Sequence, residues 1–153
     1  MTTQVCSFTV ADHTFGVEVH VVQELLRFQR MTRVPLAPPE VQGLINLRGQ
    51  IVTALDLRRR LCLPPREPDE QPMNVVVQTP HGSVSLLVDQ IGDVIEVEEN
   101  SFEAPPETLA GPVRAFVRGV FKLEDRLLVM LDVERCADLS ASVSKREPGR
   151  RDR

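Results

Sequence analysis

The sequence predicts an all-β chain made of two similar units, and three observations support this. Short apolar runs alternate with period two and are separated by turn residues. Residues 43–63 laid over residues 119–139 bring Gly43, Leu47, Leu55, Asp56, Arg59 and Leu63 onto Gly119, Leu123, Leu131, Asp132, Arg135 and Leu139. The 153-residue length leaves roughly 65 to 70 residues per unit, a size that buries only about 60% of its unfolded surface. The two units are therefore expected to pack together, with a groove between them.

The elements follow in order. Cys6, Phe8 and Val10 share one face of a first strand, and Phe15, Val17 and Val19 one face of a second, with Ala11-Asp12-His13-Thr14 as the turn. In residues 20–27, Val21, Val22, Leu25 and Leu26 fall at helical spacing, which predicts a short helical segment or an irregular strand. Pro35, Pro38 and Pro39 interrupt regular structure after that. Residues 43–58 read as strand, tight turn, strand and helix. With Gly49-Gln50 as the turn, Arg48 lies opposite Ile51, Leu47 opposite Val52 and Ile45 opposite Ala54. Ile45, Leu47, Val52 and Ala54 then share a face, and Asn46 and Arg48 take the other.

Asp56 is the expected N-cap of a helix that carries Leu57 and Leu61. Residues 64–72 hold four prolines and three acids and read as a linker. A second hairpin over 73–78 and 84–88 comes next, followed by a strand with Ile91, Ile95 and Val97 on one face. Phe15, Val17 and Val19 match Val84, Leu86 and Val88 at an offset of 69, so the repeat extends to the hairpins.

Composition narrows the function. The net charge is −4, yet residues 144–153 hold five basic residues against two acids, so the rest of the chain carries −7. An acidic body with 4% aromatics and neither Trp nor Tyr lacks the basic stripe and stacking platforms of a nucleic-acid binder. No apolar run approaches the length of a membrane span, and residues 1–4 carry no secretory signal, which makes a cytoplasmic location the expectation. Cys6, Cys62 and Cys136 form no Cys-x-x-Cys pair, and each is expected to be a small buried hydrophobe.

Catalytic constellations are missing from the sequence. His13, His20 and His81 are scattered, and no nucleophile elbow, phosphate loop or zinc-protease motif is present. Asp89 and Asp93 after an apolar strand suggest a magnesium site of the receiver kind, but the βαβ alternation such a fold needs is absent. The seven acids from Asp89 to Glu107, with no Lys or Arg among them, read as a solvated acidic edge. The reading is of a protein that is not an enzyme and holds no metal or cofactor.

With these residues assembled, the chain resembles the CheW family of bacterial chemotaxis coupling proteins. The resemblance is carried by Gly43-Leu44-Ile45-Asn46-Leu47-Arg48-Gly49-Gln50-Ile51-Val52 with Asp56-Leu57-Arg58. Supporting pieces are Phe15-Gly16-Val17-Glu18-Val19, Val22-Gln23-Glu24, Leu87-Val88-Asp89 with Val94, and Leu131-Asp132-Val133. It implies two SH3-like five-stranded β-barrels packed together, with short helical segments, in one domain over residues 1–139. The barrel units would cover about 4–67 and 73–139, with either core open to the first hairpin, and a basic, disordered tail would occupy 140–153.

The resemblance further implies a non-catalytic adaptor that couples the cytoplasmic tip of a chemoreceptor to the regulatory domain of a CheA-type histidine kinase. Receptor helices would lie in the groove between the barrels. The protein-binding residues it implies are Arg48 and Glu24, a candidate ion pair, then Val22, Gly43, Asn46 and Gly49, with Val88 and Ile91 on the other wall of the groove. Thr53 stands where the family often has proline, and the Arg-rich tail has no counterpart in the family. A related protein serving an array that controls surface motility or a second messenger would carry the same residues. The reading from another class is a small β-barrel nucleic-acid binder anchored by the tail.

Overall fold

The structure is a computed structural model and describes residues 1–109 and 111–139. The expected basic tail, 140–153, lies outside the described residues. The strands are β1 (Thr2–Val10), β2 (His13–Glu18), β3 (Val22–Leu26), β4 (Val41–Leu47), β5 (Gln50–Asp56), β6 (Met73–Thr79), β7 (Gly82–Val88), β8 (Gln90–Glu98), β9 (Val117–Lys122) and β10 (Leu127–Leu131). Short helices follow β5 and β10, namely α1 (Leu57–Arg60) and α3 (Val133–Ala137), and α2 (Gly111–Arg114) precedes β9. The segment expected to be helical or irregular is a 3-10 turn, Val19–Val21, running into β3, whose pairing shifts register between Val22 and Glu24.

Two mixed five-stranded sheets result, in the orders β8-β1-β2-β10-β9 and β3-β6-β7-β5-β4. Neither closes into a barrel, which corrects the expectation of two barrels. The edges are held apart for a physical reason. Thr32 makes a single two-bond bridge to Leu44 on the outer edge of β4, and Glu103 makes the same bridge to Val120 on β9. Prolines follow both bridges, Pro35 after Thr32 and Pro105 after Glu103, and a residue without an N–H cannot extend a ladder. One bridge therefore takes the place that a closing strand would need.

The internal repeat is present in the pairing itself. Parallel β5 and β7 place Thr53 beside Val84, and parallel β10 and β2 place Val129 beside Phe15, which reproduces both offsets. Asp56 N–H donates to the Glu40 carbonyl, and its counterpart Asp132 N–H donates to that of Phe116. Each sheet draws strands from both halves of the chain. The first hairpin joins β8, β9 and β10, whereas β6 and β7 join β3, β4 and β5.

Between the sheets lies one apolar core that includes Phe8, Phe15, Leu55, Leu57, Leu61 and Leu86, all fully buried. Each such side chain contributes about 1.5–3 kcal/mol by leaving water. A smaller cluster of Val5, Val97, Phe121, Leu128 and Met130 fills the opposite face of the first sheet.

Three local expectations are corrected. The β4–β5 turn is Arg48-Gly49, with φ of 52° and 87°, so Leu47 pairs with Gln50, Asn46 with Ile51 and Ile45 with Val52. Two residues of positive φ match the right-handed twist of the strands, and glycine takes the second position. Because the slip moves partners by two residues, Ile45, Val52 and Ala54 still face inward as expected.

Cys62 is exposed, unlike buried Cys6 and Cys136. It occupies the left-handed position after α1, φ 59°, while Leu63 N–H closes back on the Arg58 carbonyl at 2.7 Å. Asp89, expected on a solvated edge, is instead largely buried and ion-paired.

Candidate protein-binding site

Arg48 sits at the tip of the β4–β5 hairpin, and its guanidinium reaches across to Glu24 on β3. The Nη1 to Oε2 distance is 2.6 Å, and Nη2 donates to the same oxygen. Since β3 and β4 are the two outermost strands of one sheet, this ion pair joins with side chains two strands that no backbone ladder joins. Beneath it is a hollow of about 370 Å³ lined by Gln23, Leu47, Gln50, Val52 and Val76 together with the pair itself.

Asn46 holds the tip in shape, since its Oδ1 accepts from Gly49 N–H at 2.9 Å. Ile51, the cross-strand partner of Asn46, is 60% exposed beside it. Arg48 is mostly exposed, so the pair contributes under about 1 kcal/mol to stability and acts chiefly to orient the guanidinium. The counterparts in the other sheet, at offsets of 69 and 76, are Asp93 and Glu124, two like charges. The bridged edge is thus specific to one end of the molecule.

The structure brings Arg48, Glu24, Asn46 and Gly49 together. The remaining candidates are set differently. Gly43 is buried on β4, where a Cβ would stand 2.8 Å from the Thr32 carbonyl oxygen, so the edge bridge needs glycine there. Val88 is fully buried in the central core, and Val22 and Ile91 are half-buried against it. Val22 on β3 and Ile91 on β8 occupy equivalent places, paired with Val77 and Phe8.

Two clusters escaped the sequence reading. In the first, the Asp89 carboxylate accepts from Arg58 Nε at 3.0 Å and Nη2 at 2.6 Å, from Arg66 Nη2 at 3.3 Å and from Ala11 N–H at 2.8 Å. Arg66 also reaches Asp56, the α1 N-cap, at 3.3 Å. Burial acts to raise the Asp89 pKa, but the hydrogen bonds from Arg58 and Ala11 and the charges of both arginines outweigh it and hold the group below the usual carboxylate range. The same hydrogen bond raises Arg58. Arg58 belongs to the motif Asp56-Leu57-Arg58, and nothing local in the sequence points to its partner 31 residues away.

In the second cluster, buried Arg60 donates from Nε to the Cys136 carbonyl at 2.8 Å and from Nη2 to those of Arg135 and Asp138 at 3.0 and 2.7 Å. Its guanidinium stacks 4.8 Å from the Phe116 ring centroid. In sequence it is one of three consecutive arginines, with no signal to separate it from its neighbours.

A groove of about 390 Å³ is lined by apolar Val17, Val21 and Leu131 and by Glu18, His20, Arg118, Asp132 and Glu134. Among the described residues no helix is long and apolar enough to cross a membrane.

Comparison with known proteins accounts for this architecture. The family profile described as the CheW-like domain matches residues 4–140. The chemotaxis protein CheW of Bacillus subtilis is 32% identical over 137 residues, covering 90% of this chain and 88% of that protein. That of Rhizobium meliloti is 30% identical over 131 residues, covering 86% and 84%. The crystal structure of the scaffolding protein TtCheW from Thermoanaerobacter tengcongensis superposes with a TM-score of 0.78 at 29% identity, covering 86% of this chain and 89% of that one. The chain belongs to the CheW family and is a non-catalytic adaptor of chemotaxis signalling.

Proposed function

We propose that this adaptor works in the cytoplasm, coupling a chemoreceptor tip to the regulatory domain of a CheA-type histidine kinase, and that the Arg48–Glu24 edge is one of its contact surfaces. The observation that carries this reading is the ion pair itself. It spans the two outermost strands of one sheet, presents an oriented guanidinium next to exposed Ile51, and is replaced by two acids at the equivalent place in the other sheet. A planar, oriented donor next to an apolar side chain suits a protein partner carrying a carboxylate and an apolar contact. Gly43, Asn46 and Gly49 shape this edge, and Val22, Val88 and Ile91 set the packing behind the groove walls.

The test is titration of the full chain against a receptor-tip peptide and, separately, against the isolated kinase regulatory domain. Arg48→Glu is expected to weaken at least one of the two interactions. Adding Glu24→Arg should restore part of the loss, because the swapped pair can meet again. Unchanged affinity for both partners in the single variant would remove this edge from the contact surface.

A further inference from the structure

Glu24 meets Arg48 because β3 carries one residue too many for its ladder. Val22 pairs with Val77 and Glu24 with Val76, so two steps along β3 answer one along β6, and Gln23 is the extra residue of a β-bulge. In an even ladder, residues two apart share a face, and Glu24 would follow Val22 towards the central core that holds Val75 and Val77. The bulge shifts that parity. Glu24 takes the face of Val76 instead, and Val76 lines the hollow beneath the ion pair with Leu47 and Val52.

The other sheet carries a bulge at the same place. There β8 passes from Ile91 to Val94 while β1 passes from Phe8 to Cys6. At the offset of 69 these four are the counterparts of Val22, Leu25, Val77 and Val75. That bulge is held from the neighbouring strand, because Ser7 Oγ donates to the Asp93 carbonyl at 2.6 Å. Gly92 leaves room for the hydroxyl, since a Cβ there would stand 2.7 Å from Ser7 Oγ. In β3 both parts differ. Val76 stands where Ser7 stands and has no hydroxyl to give, and Gln23 stands where Gly92 stands. The Gln23 side chain reaches past β6 to β7, where Ser83 Oγ donates to Gln23 Oε1 at 2.5 Å and lies 3.4 Å from Gln78 Oε1.

We infer that Gln23 and Ser83 are positioning residues of the Arg48–Glu24 surface, the bulge carrying Glu24 to the face of Arg48 and the Ser83 hydroxyl holding the bulge in place. The inference rests on the reading of that surface as a site of partner contact. With the bulge held, one carboxylate oxygen of Glu24 receives both Arg48 Nη groups. Without the Ser83 hydroxyl the extra residue is free to shift and the carboxylate turns away. Arg48 then keeps its charge and loses its orientation, which is the property a planar guanidinium offers a partner. Bulges beside binding sites re-aim side chains in this manner.

The test has one readout that needs no partner and one that does. In the free full chain the Arg48 Nε–H resonance, assigned by its loss in Arg48→Lys, reports whether the guanidinium is held. Ser83→Ala and Gln23→Leu are expected to move it towards the position of a free arginine, as Glu24→Gln does. Ser83→Thr keeps the hydroxyl and should keep the wild-type signal. In titrations against the receptor-tip peptide and the kinase regulatory domain, Ser83→Ala is expected to weaken the interaction that Arg48→Glu weakens by about three- to ten-fold. Ser83→Thr should restore it. In a Glu24→Gln background Ser83→Ala should add nothing, because no charged carboxylate is left to aim. An Arg48 resonance unmoved by Ser83→Ala and Gln23→Leu would overturn the inference and leave the contact surface standing. A loss of affinity equally large in the Glu24→Gln background would overturn it too. Affinities indifferent to Arg48→Glu would strike the contact surface instead, and the resonance alone would then decide whether Gln23 and Ser83 position the pair.

Discussion

Arg60 donates its Nε proton to the carbonyl of Cys136 at 2.8 Å, and these two residues are each other's counterparts under the 76-residue repeat. Contact between equivalent positions places the axis relating the two halves between α1 and α3. Arg60 there satisfies three carbonyls at the end of α3, groups that a helix C-terminus leaves without internal partners. It breaks the symmetry of the repeat in order to join the halves.

Arg60→Lys keeps the charge but supplies no planar fork, so the Arg135 and Asp138 carbonyls lose their shared donor. A loss of about 2 kcal/mol in unfolding free energy is expected from urea denaturation. An unchanged midpoint would show that the clamp contributes nothing.

Asp89 predicts a particular dependence on acid. Its folded pKa lies below the ordinary value of 3.8, so its stabilisation is fully present above the unfolded pKa and fades as pH falls through the folded one. Asp89→Asn removes that dependence and leaves Arg58 and Arg66 facing a neutral group. The variant is expected to be less stable by about 2 kcal/mol at pH 7, with the difference from wild type shrinking towards pH 3. Parallel stability curves across that range would contradict the assignment.

The three thiols should separate cleanly. Burial pushes Cys136 up to about 12 and also raises Cys6, while Cys62 is exposed. Treatment of the native protein with a disulfide reagent at pH 8 is expected to modify one thiol rapidly and the other two only after unfolding. Rapid release from more than one would mean that the core opens near α3 or β1.

Leu36 stands fully exposed at φ 67°, a left-handed conformation that costs an L-residue energy without any burial in return. Leu36→Asn is expected to raise stability by about 0.5–1 kcal/mol, visible as a higher melting temperature. A decrease would indicate that the leucine makes a contact that its exposure conceals.

Much of this was legible in the sequence because it depends on local chemistry. The Asp56 cap, the inward face of Ile45 and Val52, both hairpins and the repeat follow from periodicity and turn residues within a few positions. What escaped depends on distant partners. Arg58 and Asp89 are 31 residues apart, and Arg60 and Cys136 are 76 apart. The open sheets escaped for a related reason, since Thr32 and Glu103 occupy the outer edges through single bridges that carry no pattern of their own. The Arg48–Glu24 contact could be anticipated only because a family resemblance placed both residues in matched motifs. The turn sits one residue earlier than Gly49-Gln50 because glycine holds its second position, with Arg48 in the left-handed conformation before it.

The exchange of hairpins between sheets also bears on how the chain is made. On the ribosome β1 and β2 emerge well before their sheet neighbours, since β1 waits for β8 at Gln90–Glu98 and β2 waits for β10 at Leu127–Leu131. The first hairpin therefore leaves the exit tunnel with both outer edges unpaired and an apolar face uncovered until β8 and β10 have followed it. Long-range pairing of this kind folds slowly, and β10 completes the sheet that β1 began.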